Sequence, residues 1–139
     1  MDTKCDICKK VIDNNSYGVI ESRNNLNVHY FCLLLSTNLA QVGSEDEGIL
    51  GFLEDDIHRY INKNEHYQCH YCKNNSATVS CRFKNCNCVF HPICGYENNC
   101  TSQFLGAFKS YCSKHAHHGL KGLKCYDISE KKNNVFTVL

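Results

Sequence analysis

The chain has 139 residues and a formal net charge of +1, with 12 Cys, 8 His, one Pro and no Trp. That length suits one compact domain or two small ones sharing a core, and no apolar run approaches membrane-spanning length, so a bilayer is not an expected partner. The start, Met1-Asp2-Thr3-Lys4-Cys5, lacks the apolar stretch of a secretory leader, which argues against reading the cysteines as a secreted disulfide framework.

The +1 conceals a division. Residues 1–68 hold six Lys/Arg against eleven Asp/Glu, a net of −5, and residues 69–139 hold nine against three, a net of +6. Such polarity suits a partner carrying both signs, or two partners.

In chain order, Cys5-Asp6-Ile7-Cys8 is a turn-like clip, and Tyr17-Gly18-Val19-Ile20 is a short strand candidate in an Asn/Ser/Gly-rich stretch. His29-Tyr30-Phe31-Cys32-Leu33-Leu34-Leu35 reads as the start of a short buried helix. Ser44 followed by Glu47 matches a capping box. Ile49, Leu50, Leu53, Ile57, Tyr60 and Ile61 then recur at helical steps, predicting an amphipathic helix that ends near Asn62-Lys63-Asn64 and packs the first module on the next. From Cys69 onward, Cys and His recur every few residues among short strands and loops. The end of the chain is basic through Lys121, Lys124, Lys131 and Lys132, and Val135-Phe136-Thr137-Val138-Leu139 reads as a strand or a tail.

The Cys and His positions fall into two constellations. Cys5, Cys8, His29 and Cys32 form a C-x2-C pair and an H-x2-C pair, four N/S donors that close a tetrahedral site with no open position, as in structural zinc. The second runs Cys69-x2-Cys72, Cys81-x4-Cys86, His91-x2-Cys94, Cys112-x2-His115. In a cross-brace, alternate pairs share an ion: Cys69, Cys72, His91 and Cys94 hold one zinc, and Cys81, Cys86, Cys112 and His115 another. Three zinc ions are thus expected, each contributing roughly 10–16 kcal/mol of apparent binding energy to folding. Cys88 is an alternative to Cys86. Cys88, Cys100 and Cys125 are otherwise spare, read as small buried thiols. His66, His70, His117 and His118 read as solvated loop residues. The sequence contains no Ser/His/Asp order, phosphate-cradling Gly loop or H-E-x-x-H helix, and the thiols are claimed by metal, so neither catalysis nor a small-molecule substrate is expected.

The order of ligands, with histidine at its end, resembles the extended PHD domain, a zinc knuckle fused to an atypical PHD finger. His29-Tyr30-Phe31-Cys32-Leu33-Leu34-Leu35-Ser36, Glu45-Asp46-Glu47-Gly48-Ile49-Leu50-Gly51-Phe52-Leu53, Phe90-His91-Pro92-Ile93-Cys94-Gly95 and Gln103-Phe104-Leu105-Gly106-Ala107-Phe108 are similar to the branch containing PHD finger protein seven and the G2/M-phase-specific ubiquitin-protein ligase. The resemblance covers about residues 5–115, and its four-residue spacing before His91 favours Cys86 over Cys88. It implies a small zinc-stabilised α+β fold: a knuckle over 1–43, a linking helix over 44–66, an atypical PHD finger over 67–118 and a basic extension over 119–139.

The resemblance also implies nuclear chromatin work, with the histone H3 tail or the nucleosome as partner and ubiquitin transfer in longer relatives. Only 24 residues follow His115, with one cysteine, so no second cross-brace is expected in this chain. Candidate contacts to a basic tail are Asp46, Glu47, Asp55 and Asp56. If the basic half instead meets DNA, Lys73, Arg82, Lys84 and Lys109, with Lys114, Lys121 and Lys124, would touch phosphates. Methyl-lysine readers often carry Trp two residues before the ligands equivalent to His91 and Cys112. Val89 and Ser110 stand there, leaving Tyr67, Tyr71, Phe83 and Tyr111 as aromatic candidates.

Overall fold

A computed structural model describes residues 3–11, 19–103 and 107–120. Tyr17, Gly18, Cys125 and the basic end from Lys121 onward lie outside the described residues. The knuckle is built on a hairpin of β1 (Ile20–Arg23) and β2 (Leu26–His29), antiparallel, with Arg23 opposite Leu26. Its two-residue loop is Asn24-Asn25, both with positive φ (49° and 69°), the left-handed pair that a tight hairpin needs and that Asn tolerates. Of the predicted strand Tyr17–Ile20, the described part places Ile20 in β1 and Val19 just before it.

His29 keeps extended backbone and caps α1 (Tyr30–Leu35), which buries Cys32, Leu33 and Leu35. The next helix departs from expectation. α2 spans Glu54–Asn64, ten residues after the predicted start, and buries Ile57, Tyr60 and Asn64. Ser44 and Glu47 do pair, with the Ser44 N–H donating to the Glu47 carboxylate at 2.9 Å. The chain then makes a tight turn: Gly48 and Gly51 have φ of +59° and +88°, and a Cβ on Gly48 would lie 2.1 Å from the Phe52 carbonyl oxygen. That turn, not a helix, buries Ile49 and Phe52. Glu54, Asp55 and Asp56 in the first turn of α2 and Lys63 in its last suit the helix dipole.

The finger contains β3 (Val79–Ser80) paired with β4 (Val89–Phe90), and β5 (Thr101–Ser102) paired with β6 (Ser110–Tyr111), both antiparallel. Between them lies α3 (Pro92–Glu97), entered through Pro92, whose fixed φ suits a first helical position. A 3-10 helix over Ser113–Leu120 comes after β6.

Two buried clusters join the modules. One gathers Ile7, Leu26, Val28, Leu33, Ile49, Phe52 and Ile57 with Ile93 of α3, and the other gathers finger residues with Leu35 of α1. Each module thus contributes an apolar side chain to the other's core. Polar bonds close the same seam. The Thr37 N–H donates to the Thr78 carbonyl at 3.0 Å, and the Ser80 N–H donates to the Thr37 hydroxyl at 2.9 Å. The Tyr60 hydroxyl of α2 lies between the carbonyls of Thr37 and Thr78, 2.9 Å from the latter.

Candidate metal centres

Each C-x2-C clip is a tight turn closed by its own backbone. The Cys8 N–H points at the Cys5 sulfur and the Cys72 N–H at the Cys69 sulfur, both at 3.5 Å. The paired H-x2-C places histidine at a helix N-cap and cysteine one turn inside, so both donors lie on one side.

The structure brings together three groups of four: Cys5, Cys8, His29 and Cys32; Cys69, Cys72, His91 and Cys94; Cys81, Cys86, Cys112 and His115. Within each, all donor atoms lie within 4.8 Å of one another. Each histidine presents Nδ1. His29 Nδ1 is 3.4 and 3.7 Å from the sulfurs of Cys8 and Cys32, and His91 Nδ1 is 3.4 and 3.6 Å from those of Cys72 and Cys94. His115 Nδ1 is 3.7 and 3.3 Å from Cys81 and Cys112, and the Cys86 and Cys112 sulfurs are 3.9 Å apart. A zinc with bonds of about 2.3 Å to sulfur and about 2.0–2.1 Å to nitrogen holds tetrahedral ligands about 3.5–3.8 Å apart, and these spacings match. The groups interleave along the finger as a cross-brace does. His91 Nε2 lies 2.9 Å from the Asn75 carbonyl, which orients the ring and fixes Nδ1 as the donor.

Electrostatics agrees with the donor set. Left to themselves, the four thiol and imidazole groups of a cluster cannot all ionise. The Cys94 thiol beside Cys69 holds it down at about 2, and Cys69 together with burial pushes Cys94 well above the ordinary thiol range. Likewise Cys32 and Cys8 hold Cys5 down, while burial, Cys5 and Cys8 push Cys32 up. A divalent cation is what lets a full set of thiolates coexist, so metal uptake releases protons. None of the eleven described cysteines is in a disulfide.

Cys100 is buried, its sulfur 3.2 Å from the Tyr71 hydroxyl, and Cys88 is half-buried. Two of the histidines read as loop residues differ from expectation: His117 and His118 sit in the 3-10 helix, and His118 packs 4.4 Å from Phe83. His66 is exposed beside Glu65, and His70 meets Tyr71 edge-on at 5.0 Å. The aromatic candidates do not form a free wall. Phe83 stacks on His115 at 4.0 Å, and Tyr71 packs on Phe90 and bonds Ser113. Tyr67 is exposed and Tyr111 half-buried.

The charged candidates are sorted by the fold. Arg23 of the hairpin tip donates to the Asp46 and Gly48 carbonyls, and Asn24 donates to the Glu54 carboxylate at 3.0 Å. The tip thereby gathers the 45–47 turn and the start of α2 on one side. Asp46, Glu47 and Asp55 are exposed, while Asp56 pairs with Arg59. Arg82 and Lys109 are exposed, the first next to Cys81 and the second next to Ser110, which bridges Cys81 in parallel. Lys84 and Lys114 line an open cavity of ≈ 400 Å³ against the third cluster, whose lining holds no carboxylate. Lys73 is exposed on the first clip of the finger, next to the Cys69–Cys72 turn.

Residues 29–116 match the model of the PHD-like zinc-binding domain. The chain belongs to this family. With three groups of four donors, this PHD-like domain is a three-zinc protein. It is 40% identical over 114 residues to the G2/M phase-specific E3 ubiquitin-protein ligase of Homo sapiens, covering 80% of this chain and 16% of that protein. It is 44% identical over 112 residues to the Pineapple eye protein of Drosophila melanogaster, covering 80% and 19%. The PHD-like domain thus spans under a fifth of those relatives. In structure it resembles zebrafish PHF14-PZP, with a TM-score of 0.58 at 18% identity over 96% of this chain and 69% of that one, a likeness of fold. Among the described residues, no helix is long and apolar enough to cross a membrane.

Proposed function

We propose that this domain is a nuclear, chromatin-binding module that takes the N-terminal tail of histone H3, alone or on a nucleosome, and performs no chemistry itself. Twelve residues hold its three zinc ions: Cys5, Cys8, His29 and Cys32; Cys69, Cys72, His91 and Cys94; Cys81, Cys86, Cys112 and His115. The observation that carries the partner reading is the acidic side of the PHD-like scaffold. There the hairpin tip holds the Asp46-Glu47 turn and Glu54 at the start of α2, which Asp55, exposed, follows in the chain, and this suits a basic tail. With Phe83 stacked on His115 and Tyr71 bonded to Ser113, recognition rests on charge and backbone contacts, so methylating the tail lysines brings no gain in affinity.

The test is an NMR titration of the zinc-loaded chain with unmodified H3 peptide and then a lysine-methylated one. Saturable shifts on the acidic side, lost when Asp46, Glu47, Asp55 and Asp56 become Lys, are expected. A flat titration ends the reading. A second reading, duplex DNA, is favoured by Lys84 and Lys114 on the cavity against the third cluster, with the exposed Arg82 and Lys109 next to the bridged Cys81 and Ser110. It requires affinity that falls steeply with salt and drops when those four are neutralised. Because the related ligases are far longer, the module would in such a context choose the target rather than transfer ubiquitin.

A further inference from the structure

The third cluster has more sulfur within reach than one ion needs. The β3–β4 register pairs Val79 with Phe90 and Ser80 with Val89, and one step further the Cys81 N–H donates to the Cys88 carbonyl at 3.0 Å. Cys88 therefore stands directly opposite Cys81. Directly opposed residues of an antiparallel pair project to the same face, with Cβ atoms about 4.5–5.5 Å apart. Cys81 belongs to the third cluster, so the Cys88 side chain is delivered to that cluster's face by the strand itself. Its thiol neighbours those of Cys112 and Cys86. It stays outside the group of four whose donor atoms all lie within 4.8 Å of one another.

The donor it would replace is differently held. Cys86 sits in a turn closed by its own N–H to the Phe83 carbonyl at 3.0 Å, with Asn85 at φ 66°. Cys86, Cys88, Cys112 and His115 all line the same open cavity, so the sulfurs have room to exchange. The other two clusters have no such extra thiol among the described residues.

We infer that Cys88 is a reserve ligand of the third zinc, able to take the place of Cys86 and keep a three-sulfur, one-nitrogen site. The inference rests on the third cluster holding zinc and is independent of the partner the module binds. The step is a plain ligand exchange: the Cys88 thiol gives up its proton as it binds, and the departing Cys86 sulfur leaves as thiolate and takes one up.

The test counts metals and metal-bound thiolates in the full chain, by metal analysis and by the sulfur-to-metal charge-transfer absorption of the cobalt(II)-loaded protein. Wild type should hold three ions and nine thiolates. C86S should match both counts, as should C88S, whereas C86S/C88S and the control C81S should each lose one ion. A C86S chain with two ions, with eight thiolates, or unable to fold with metal overturns the inference. So does C88S losing the third ion, which would make Cys88 the resident ligand. A wild-type chain holding fewer than three ions defeats the zinc assignment itself, a failure distinct from the others.

Discussion

Replacing Tyr60 by Phe removes one oxygen from the seam between knuckle and finger and little else. That hydroxyl lies between the part-buried carbonyl of Thr37 and the buried carbonyl of Thr78. The Thr78 carbonyl keeps the Thr37 N–H as a donor, so the variant strands chiefly the Thr37 carbonyl. A net hydrogen bond is worth about 1 kcal/mol, and a buried group left unpaired costs about 1–3 kcal/mol, so a loss of about 2 kcal/mol is expected. Urea unfolding of the zinc-loaded chain, at a slope of about 2 kcal/mol/M, should show the midpoint falling by about 1 M with the slope unchanged. Metal content should stay at three ions, because Tyr60 is in none of the clusters. An unchanged midpoint would mean that the seam's polar bonds are exchanged for water at no cost. Loss of an ion would mean that the seam positions the metal sites, and either result refutes the reasoning.

Gly95→Ala should cost about 1–3 kcal/mol by overpacking, since its Cβ would lie 2.6 Å from Phe90 Cε2 and Phe90 is fully buried, and thermal unfolding would show it. Gly48→Ala should cost about 2 kcal/mol or more, because the obstruction is the Phe52 carbonyl and φ is +59°, a pairing no rotamer relieves; the same unfolding measurement applies. Cys100 gives a pH dependence. Burial pushes its thiol from the ordinary 9.0 up to about 12, so the stability it contributes is complete below pH 9 and is lost as pH rises toward 12. At about pH 10.5 the unfolded thiol's ionisation lowers stability by about 2 kcal/mol relative to neutral pH, and Cys100→Ala should remove that part of the decline.

The metal donors are the most legible part of the molecule because their spacing is a local geometric requirement. Two sulfurs on one turn must be three residues apart, and a histidine at a helix cap meets a cysteine three residues on, whatever the rest of the chain does. The start of α2 is illegible for the opposite reason. Ser44 and Glu47 satisfy each other in a turn as well as at a helix start, and Ile49, Leu50 and Leu53 mimic helical steps while Gly48 and Gly51 reverse the chain. The two glycines are the available signal. The hairpin is absent from the predicted elements although Asn24-Asn25 marks its loop. The Tyr60 contacts depend on residues distant in sequence, and no local pattern announces them.

The knuckle and the first half of the finger prove to be the same device used twice. Cys5 and Cys69 each donate their N–H five residues ahead, to Lys10 and Asn74, at 3.1 and 2.8 Å. Lys9 and Lys73 each come directly after the second cysteine with left-handed φ, 64° and 68°. Asp6 and His70, each just after the first cysteine, donate to the residue two before the histidine, Asn27 and Val89, at 2.7 and 2.8 Å. Each device ends in a six-residue helix, and α1 and α3 pack together, placing Ile93 and Leu35 in each other's cores. The third cluster belongs to neither device. It draws Cys81 and Cys86 from between the clip and the helix of the second, and Cys112 and His115 from the end of β6 and the first turn of the 3-10 helix beyond it, so no C-x2-C clip serves it. A site assembled that way tolerates a choice of sulfur that the other two do not, which is why the extra thiol and the open cavity occur together there.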